Sequence, residues 1–187
     1  YSGDKPILFV QGGSLGALQI NLLIEQTISF LVEHFFVVHQ TGAQHRLQGE
    51  NIAARLAQEH PELSSRYRAF PFIGAEMPDV LAAADLVLAR SGANTIWEAA
   101  AAGKPLILIP LEKGSSRGDQ IENAAFFAQE GAALVLSSRD AVPAVLCEKL
   151  TQLVEHPDQL RAMAQASAAL AGDKPAAKIA HLLEEWV

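Results

Sequence analysis

Four short segments of this chain set glycines, small hydroxyls, amides and one carboxylate where an apolar run gives way to a helical one. The first is Gln11-Gly12-Gly13-Ser14-Leu15-Gly16-Ala17. Glycines between a strand and a helix let backbone N–H groups approach an anion, and the helix dipole adds favourable partial charge there. With serine at position 14 the segment is not G-x-G-x-x-G, and it lacks the Lys-Ser/Thr of a P-loop. Without a ligand it is simply a tight strand-to-helix turn. The second is Phe70-Pro71-Phe72-Ile73-Gly74-Ala75-Glu76-Met77, an apolar stretch that offers a planar base a wall and backbone groups, or else continues the core.

The third segment is Ala89-Arg90-Ser91-Gly92-Ala93-Asn94-Thr95-Ile96-Trp97-Glu98. Ser91 or Asn94 is expected to cap the helix, whose first-turn N–H groups at Ala93, Asn94 and Thr95 form a second anion site. Glu98 stands four residues after Asn94, on the same helical face. A carboxylate repels phosphate, but it accepts two hydrogen bonds from vicinal hydroxyls such as those of a ribose. Compensation of the helix dipole is the plainer role for it, and Trp97 reads as packing. The fourth segment, Pro110 to Asn123, is long and polar and enters a helix at Asp119. Asp119 and Gln120 are placed to meet sugar hydroxyls, with Asp119 as a simple N-cap the alternative. Asn123 is otherwise an ordinary exposed helix residue and Arg117 a solvated cation.

The elements that must hold these segments alternate. Strands are expected at Pro6–Val10, Phe35–His39, Tyr67–Phe70, Leu86–Ala89, Pro105–Ile109 and Ala133–Leu136. Helices fill the spaces between them, near Gly16–Glu33, Arg46–Glu59, Met77–Ala83, Ala93–Ala102 and Asp119–Gln129. Runs such as Ile7-Leu8-Phe9-Val10 and Leu106-Ile107-Leu108-Ile109 are apolar on both faces, as parallel strands covered by helices must be. The reading is an α/β fold, a Rossmann-like doubly wound parallel sheet of about six strands. From about Ala141 onward the tail predicts two or three extra helices, with Pro143, Pro157 and Pro175 near their starts. In such a sheet the ligand lies beyond the carboxyl ends of the strands, where the four segments begin.

A length of 187 residues suits one domain over the whole chain, and a half-hydrophobic composition supports a packed interior. The net charge of −7 is spread, and no Lys/Arg cluster suggests nucleic acid as a partner. The single cysteine, Cys147, cannot form an internal disulfide; it sits in an apolar run and is expected to be an inert buried thiol. No apolar stretch reaches the roughly 18 residues that span a bilayer. The chain opens without an initiator methionine or a signal peptide and is expected to be a piece cut from a longer protein at an inter-domain linker. His34, His39, His45, His60, His156 and His181 make no metal-binding spacing, so no metal is expected. His39-Gln40-Thr41-Gly42 has no acidic residue for a dinucleotide ribose, which argues against NAD. Residue chemistry alone stops at two helix N-termini facing one crevice, suited to a phosphorylated ligand.

At these segments the sequence resembles the carboxyl-terminal domain of the MurG family, the UDP-N-acetylglucosamine transferases that add the second sugar to the lipid-linked peptidoglycan precursor. The resemblance is carried by Gly12-Gly13-Ser14-Leu15-Gly16-Ala17, His39-Gln40-Thr41-Gly42, Phe72-Ile73 with Met77, and Ala84-Asp85-Leu86-Val87. It continues through Arg90-Ser91-Gly92-Ala93-Asn94-Thr95 with Glu98, Gly103-Lys104-Pro105, and Asp119-Gln120 with Asn123-Ala124, in the family's order and spacing. It implies the carboxyl-terminal half of a GT-B glycosyltransferase, with UDP-GlcNAc bound by this domain and the lipid-linked acceptor by an amino-terminal domain absent here. Carried over by position, Ile73 contacts the uracil through its backbone with Phe72 beside it, and Glu98 holds the ribose hydroxyls. Gly13, Ser14 and Gly16 line the diphosphate together with Ala93, Asn94 and Thr95. Gln120 and Asp119 meet the GlcNAc hydroxyls, and Asn123 completes the substrate-binding set. Family members often have a second glutamine where this chain has Asp119.

The resemblance also implies an inverting single displacement with no cofactor, its base in the absent domain. This chain is then expected to bind UDP-GlcNAc but transfer nothing alone. It is expected in the cytoplasm, and the full-length protein at the cytoplasmic face of the bacterial inner membrane. Three rivals stand beside it: a GT-B transferase using UDP-glucose or UDP-galactose and a glycolipid acceptor, a non-catalytic nucleotide- or partner-binding module, and half of a sugar-nucleotide epimerase.

Overall fold

A computed structural model describes residues 5–13, 15–112, 118–172 and 183–184. Six parallel strands form one sheet: β1 (Ile7–Gln11), β2 (Phe36–Gln40), β3 (Tyr67–Phe70), β4 (Leu86–Ala89), β5 (Leu106–Leu108) and β6 (Ala133–Val135). Their order across the sheet is β3-β2-β1-β4-β5-β6. The helices are α1 (Leu18–His34), α2 (Arg46–Glu59), α3 (Met77–Ala83), α4 (Ala93–Ala101), α5 (Asp119–Gln129), α6 (Pro143–Glu155) and α7 (Pro157–Ala171).

The apolar alternation within each strand explains the two layers. Leu8, Val10, Leu86 and Leu88 point to the face covered by α1, α2 and α6. Phe9, Val87, Leu106 and Leu108 point to the opposite face, against α3, α4 and α5. Both faces of each central strand are therefore buried, and the continuous apolar runs follow from that. Helix α7 crosses behind, burying Met163 in the first layer and packing Leu170 against the second. The strands run outward from β1 to β3 on one side and from β4 to β6 on the other, and this switch in strand order between β1 and β4 opens a crevice at their carboxyl ends.

Most expected boundaries hold to within two residues. α1 starts at Leu18 rather than Gly16, because Gly16 has φ +83° and Ala17 is extended as the N-cap. Two tail helices open with Pro143 and Pro157 in their first turns. Pro175 lies outside the described residues. Cys147 is half-buried, and burial pushes its thiol above the ordinary value. Among the described residues no helix is long and apolar enough to cross a membrane.

One polar cluster is embedded in the first layer. His39 of β2 is fully buried, with Nδ1 2.9 Å from the Tyr67 hydroxyl and Nε2 3.0 Å from Asn21 Oδ1. Burial lowers its pKa from 6.5 to about 3. Below pH 6.5 the unfolded chain therefore takes up a proton that the folded chain refuses. Stability from this group is complete above 6.5 and falls as pH drops toward 3, by about 1.4 kcal/mol per unit. Urea unfolding at pH 5.5 is expected to give a stability lower than at pH 7.5 by about that amount. A His39→Gln variant should lose this part of the slope; an unchanged slope would mean that His39 titrates normally.

Candidate functional site

A cavity of about 710 Å³ opens at the carboxyl ends of β1, β2 and β4. Its lining brings together residues from four separate parts of the chain: Gln11 and Gly13, Gln40, Phe72 to Gly74 with Met77, and Gly92 to Thr95 with Glu98. Of the residues expected to bind a ligand, Gly13, Phe72, Ile73, Ala93, Asn94, Thr95 and Glu98 line it together.

The α4 end of the cavity is an uncapped helix start. Gly92 is the N-cap, with extended φ and ψ of −66° and 141°, and no side chain bonds the first turn. The expectation that Ser91 or Asn94 caps this helix is therefore wrong. Ser91 is buried, and its hydroxyl donates to the Gln120 carbonyl at 2.7 Å; Asn94 is exposed at the cavity edge. The first intrahelical bond is Ile96 N–H to the Gly92 carbonyl, so the amides of 93–95 face the cavity with the positive end of the dipole. Glu98, one turn further on, adds an exposed carboxylate.

The β1 turn supplies the second helix start. Gly13 has φ +90° and lines the cavity, and the Gly16 N–H closes the turn on the Gly13 carbonyl at 3.1 Å. α1 likewise has no side-chain cap. Gly16 itself is not part of the described lining. It sits against the loop after β2, where a Cβ would come within 2.1 Å of the Thr41 carbonyl oxygen. Its role is to let two backbones touch. Ser14 lies outside the described residues.

The loop after β3 forms the opposite wall. Phe72 is 59% exposed, whereas Ile73 is buried at 6%. The Ile73 N–H donates to Gln40 Oε1 at 2.8 Å, and Gln40 Nε2 donates to the Gly13 carbonyl at 3.4 Å. Gln40 thus ties the two sides of the cavity together. Among the described residues nothing donates to the Ile73 carbonyl.

Asp119, Gln120 and Asn123 are absent from the described lining. Gly118, with φ +92°, is the N-cap of α5, so Asp119 is a first-turn acid and not the cap. Gln120 Oε1 accepts from the Leu111 N–H at 3.2 Å, and Asn123 Nδ2 donates to the Ser91 carbonyl at 3.1 Å. These side chains fasten α5 to the loops after β4 and β5. Arg117 lies outside the described residues. Arg90, conspicuous in the third segment, is buried and donates to the Ile109 and Pro110 carbonyls and to Gln19 Oε1. Burial lowers its pKa, and it braces the sheet edge of the site.

Gln11 and Gln40 were not among the residues expected in the site. Each ends an apolar strand two residues after a core side chain, Phe9 and Val38, on the face that holds α3 and α4. That period of two was the available signal. Gln11 Nε2 is buried with no hydrogen-bond partner, an orphan donor at the cavity floor. Among the described residues no group of three or more His, Cys, Asp or Glu is placed to hold a metal ion.

A crevice with an uncapped helix start, a glycine turn, an adjacent carboxylate and an apolar wall at the end of a doubly wound sheet suits a nucleoside diphosphate. The model of the glycosyltransferase family 28 C-terminal domain matches residues 7–183. The chain belongs to this family. A relative of this family 28 domain from Treponema denticola is 52% identical over 188 residues, covering 98% of this chain and 48% of the relative. One from Treponema pallidum is 45% identical over 185 residues, covering 98% of this chain and 47% of the relative. Both carry the name UDP-N-acetylglucosamine–N-acetylmuramyl-(pentapeptide) pyrophosphoryl-undecaprenol N-acetylglucosamine transferase. The crystal structure of Acinetobacter baumannii MurG superposes with a TM-score of 0.80 at 30% identity, over 97% of this chain and 50% of that one. The family 28 domain also shares its fold, at a TM-score of 0.63 and 17% identity, with a UDP-GlcNAc 2-epimerase from Neisseria meningitidis. The chain spans about half the length of the curated relatives it matches.

Proposed function

We propose that this chain is the donor-binding domain of an inverting GlcNAc transferase of the MurG type, acting on the lipid-linked MurNAc-pentapeptide precursor of peptidoglycan. The observation that carries the reading is the uncapped start of α4 with Glu98 one turn behind it, on the same cavity as Gly13 and Ile73. The amides of Ala93, Asn94 and Thr95 receive the diphosphate, joined by the β1 turn at Gly13. Glu98 accepts from the ribose hydroxyls. The base lies against Phe72, with its imide N–H donating to the Ile73 carbonyl.

In the transfer, the acceptor hydroxyl oxygen bonds to the anomeric carbon as the bond from that carbon to UDP breaks. The acceptor proton passes to a base on the other domain. Charge builds on the departing diphosphate, where the helix-start amides are already oriented to receive it. Gln120 and Asp119, with Asn123 bracing them, serve the sugar end. With its oxygen held by the Leu111 N–H, Gln120 offers Nε2 as a donor to a sugar hydroxyl. The lipid-linked acceptor belongs to the other half of the protein, placed at the cytoplasmic face of the inner membrane.

Calorimetric titration of the purified chain with UDP-GlcNAc, UDP-glucose and NAD tests this. UDP-GlcNAc is expected to bind in preference to UDP-glucose, with NAD silent and no GlcNAc transfer by the chain alone. A folded sample that ignores both UDP-sugars, or prefers NAD, would overturn the assignment of the cavity. Transfer by the isolated chain would overturn the division of labour between the two halves.

A further inference from the structure

The buried polar groups beneath the β1 turn form one continuous line of hydrogen bonds. The Tyr67 hydroxyl meets His39 Nδ1 at 2.9 Å, His39 Nε2 meets Asn21 Oδ1 at 3.0 Å, and Asn21 Nδ2 meets the Thr41 carbonyl at 2.9 Å. Tyr67, His39, Asn21 and Thr41 are all buried. The last acceptor settles the proton order of the whole line. A carbonyl only accepts, so Asn21 donates to it through Nδ2 and turns Oδ1 to His39. His39 must then carry its proton on Nε2, and its bare Nδ1 accepts from the Tyr67 hydroxyl. Burial keeps the imidazole neutral, the state this order requires.

The line ends where two loops touch. The Thr41 carbonyl lies against the Gly16 Cα, and a Cβ on Gly42 would fall 2.3 Å from the Gly16 nitrogen and 2.4 Å from the Leu15 oxygen. Gly16 in turn holds the Gly13 carbonyl through its N–H, and Gly13 lines the cavity. Asn21 also sits in the first turn of α1, its N–H bonded to the Ala17 carbonyl, so its amide links the helix start to the neighbouring loop. An apolar trio would fill the same space. What only the polar line supplies is a fixed direction for the Thr41 carbonyl and hence for the turn resting on it.

We infer that Tyr67, His39 and Asn21 are positioning residues that set the β1 turn for the diphosphate of a nucleotide, without touching the nucleotide. The inference rests on the donor-site reading above. The test compares UDP with uridine on the unaltered chain and on the Asn21→Leu and Tyr67→Phe variants. Loss of global stability alone leaves the affinities of the folded fraction unchanged for both ligands. A misplaced turn weakens only the ligand that carries the diphosphate. Asn21→Leu is expected to weaken UDP about tenfold with uridine unchanged, and Tyr67→Phe to shift UDP in the same direction by about two- to threefold. The unaltered chain supplies a further readout: nitrogen NMR should find His39 neutral with its proton on Nε2 from about pH 5 to 8. A proton on Nδ1, or titration in that range, overturns the proton order. Equal losses for UDP and uridine, or none, overturn the positioning role. An unaltered chain that binds neither ligand overturns the donor site itself, and this inference with it.

Discussion

Gly16→Ala is expected to cost the fold about 2–5 kcal/mol. Two terms add. At φ +83° an L-residue with a Cβ is strained, by roughly 1–2 kcal/mol. The methyl would also stand 2.1 Å from the Thr41 oxygen, 2.9 Å from His45 Cδ2 and 3.0 Å from the Gly42 Cα. Two of those three atoms are backbone and cannot swing aside, so overpacking adds about 1–3 kcal/mol. Gly13 is the control. It has φ +90°, yet a Cβ there meets nothing within 4 Å. Gly13→Ala should therefore show the strain alone, about 1–2 kcal/mol. Urea unfolding of the two variants measures the difference. If Gly16→Ala were no worse than Gly13→Ala, the loops after β1 and β2 would not meet as closely as described.

How far such contacts can be read from a sequence depends on their range. Strands and helices were legible because their signals are local. The bounds of β3, β4, α2, α3 and α5 follow directly from apolar runs, turn residues and helical spacing. The start of α1 was less so, since a glycine suits both a turn and a helix end until its φ is known. Much of the site was legible for a different reason. In a doubly wound sheet every segment after a strand lies at one edge, so Gly13, Phe72, Ile73, Ala93 to Thr95 and Glu98 are gathered by topology.

What stayed hidden are bonds between distant residues. Ser91 reads as a cap from its neighbours, but its hydroxyl is taken by the carbonyl of Gln120, twenty-nine positions away. Gln120 and Asn123 read as free helix residues until α5 is placed beside the loops after β4 and β5, where both find partners. Gln40 shows the same limit, because its two partners, Gly13 and Ile73, come from different crossovers. His39 is the sharpest case. A histidine in a strand carries no local sign that Asn21 and Tyr67 will bracket it.

Glu98→Ala is expected to weaken UDP by about 1.5–3 kcal/mol, the value of charge-assisted hydrogen bonds lost from ribose hydroxyls. The carboxylate lies one turn into α4 and lines the same cavity as the helix start proposed to take the diphosphate, where its charge repels phosphate. The two effects have opposite signs, and ligands can separate them. Uridine should lose as much affinity as UDP, while inorganic diphosphate should lose none and gain slightly at low salt. The 2′-deoxy analogue of UDP completes the cycle. It should bind the unaltered chain more weakly than UDP, because one partner of Glu98 is missing. In Glu98→Ala the two nucleotides should bind alike, since the group that tells them apart is gone. If Glu98 only offsets the helix dipole, the outcome differs in kind. The variant would then lose a few tenths of a kcal/mol of stability, and the ratio of UDP to its deoxy analogue would not move. Calorimetry on four ligands and two proteins therefore decides whether this carboxylate reads a ribose or merely decorates a helix.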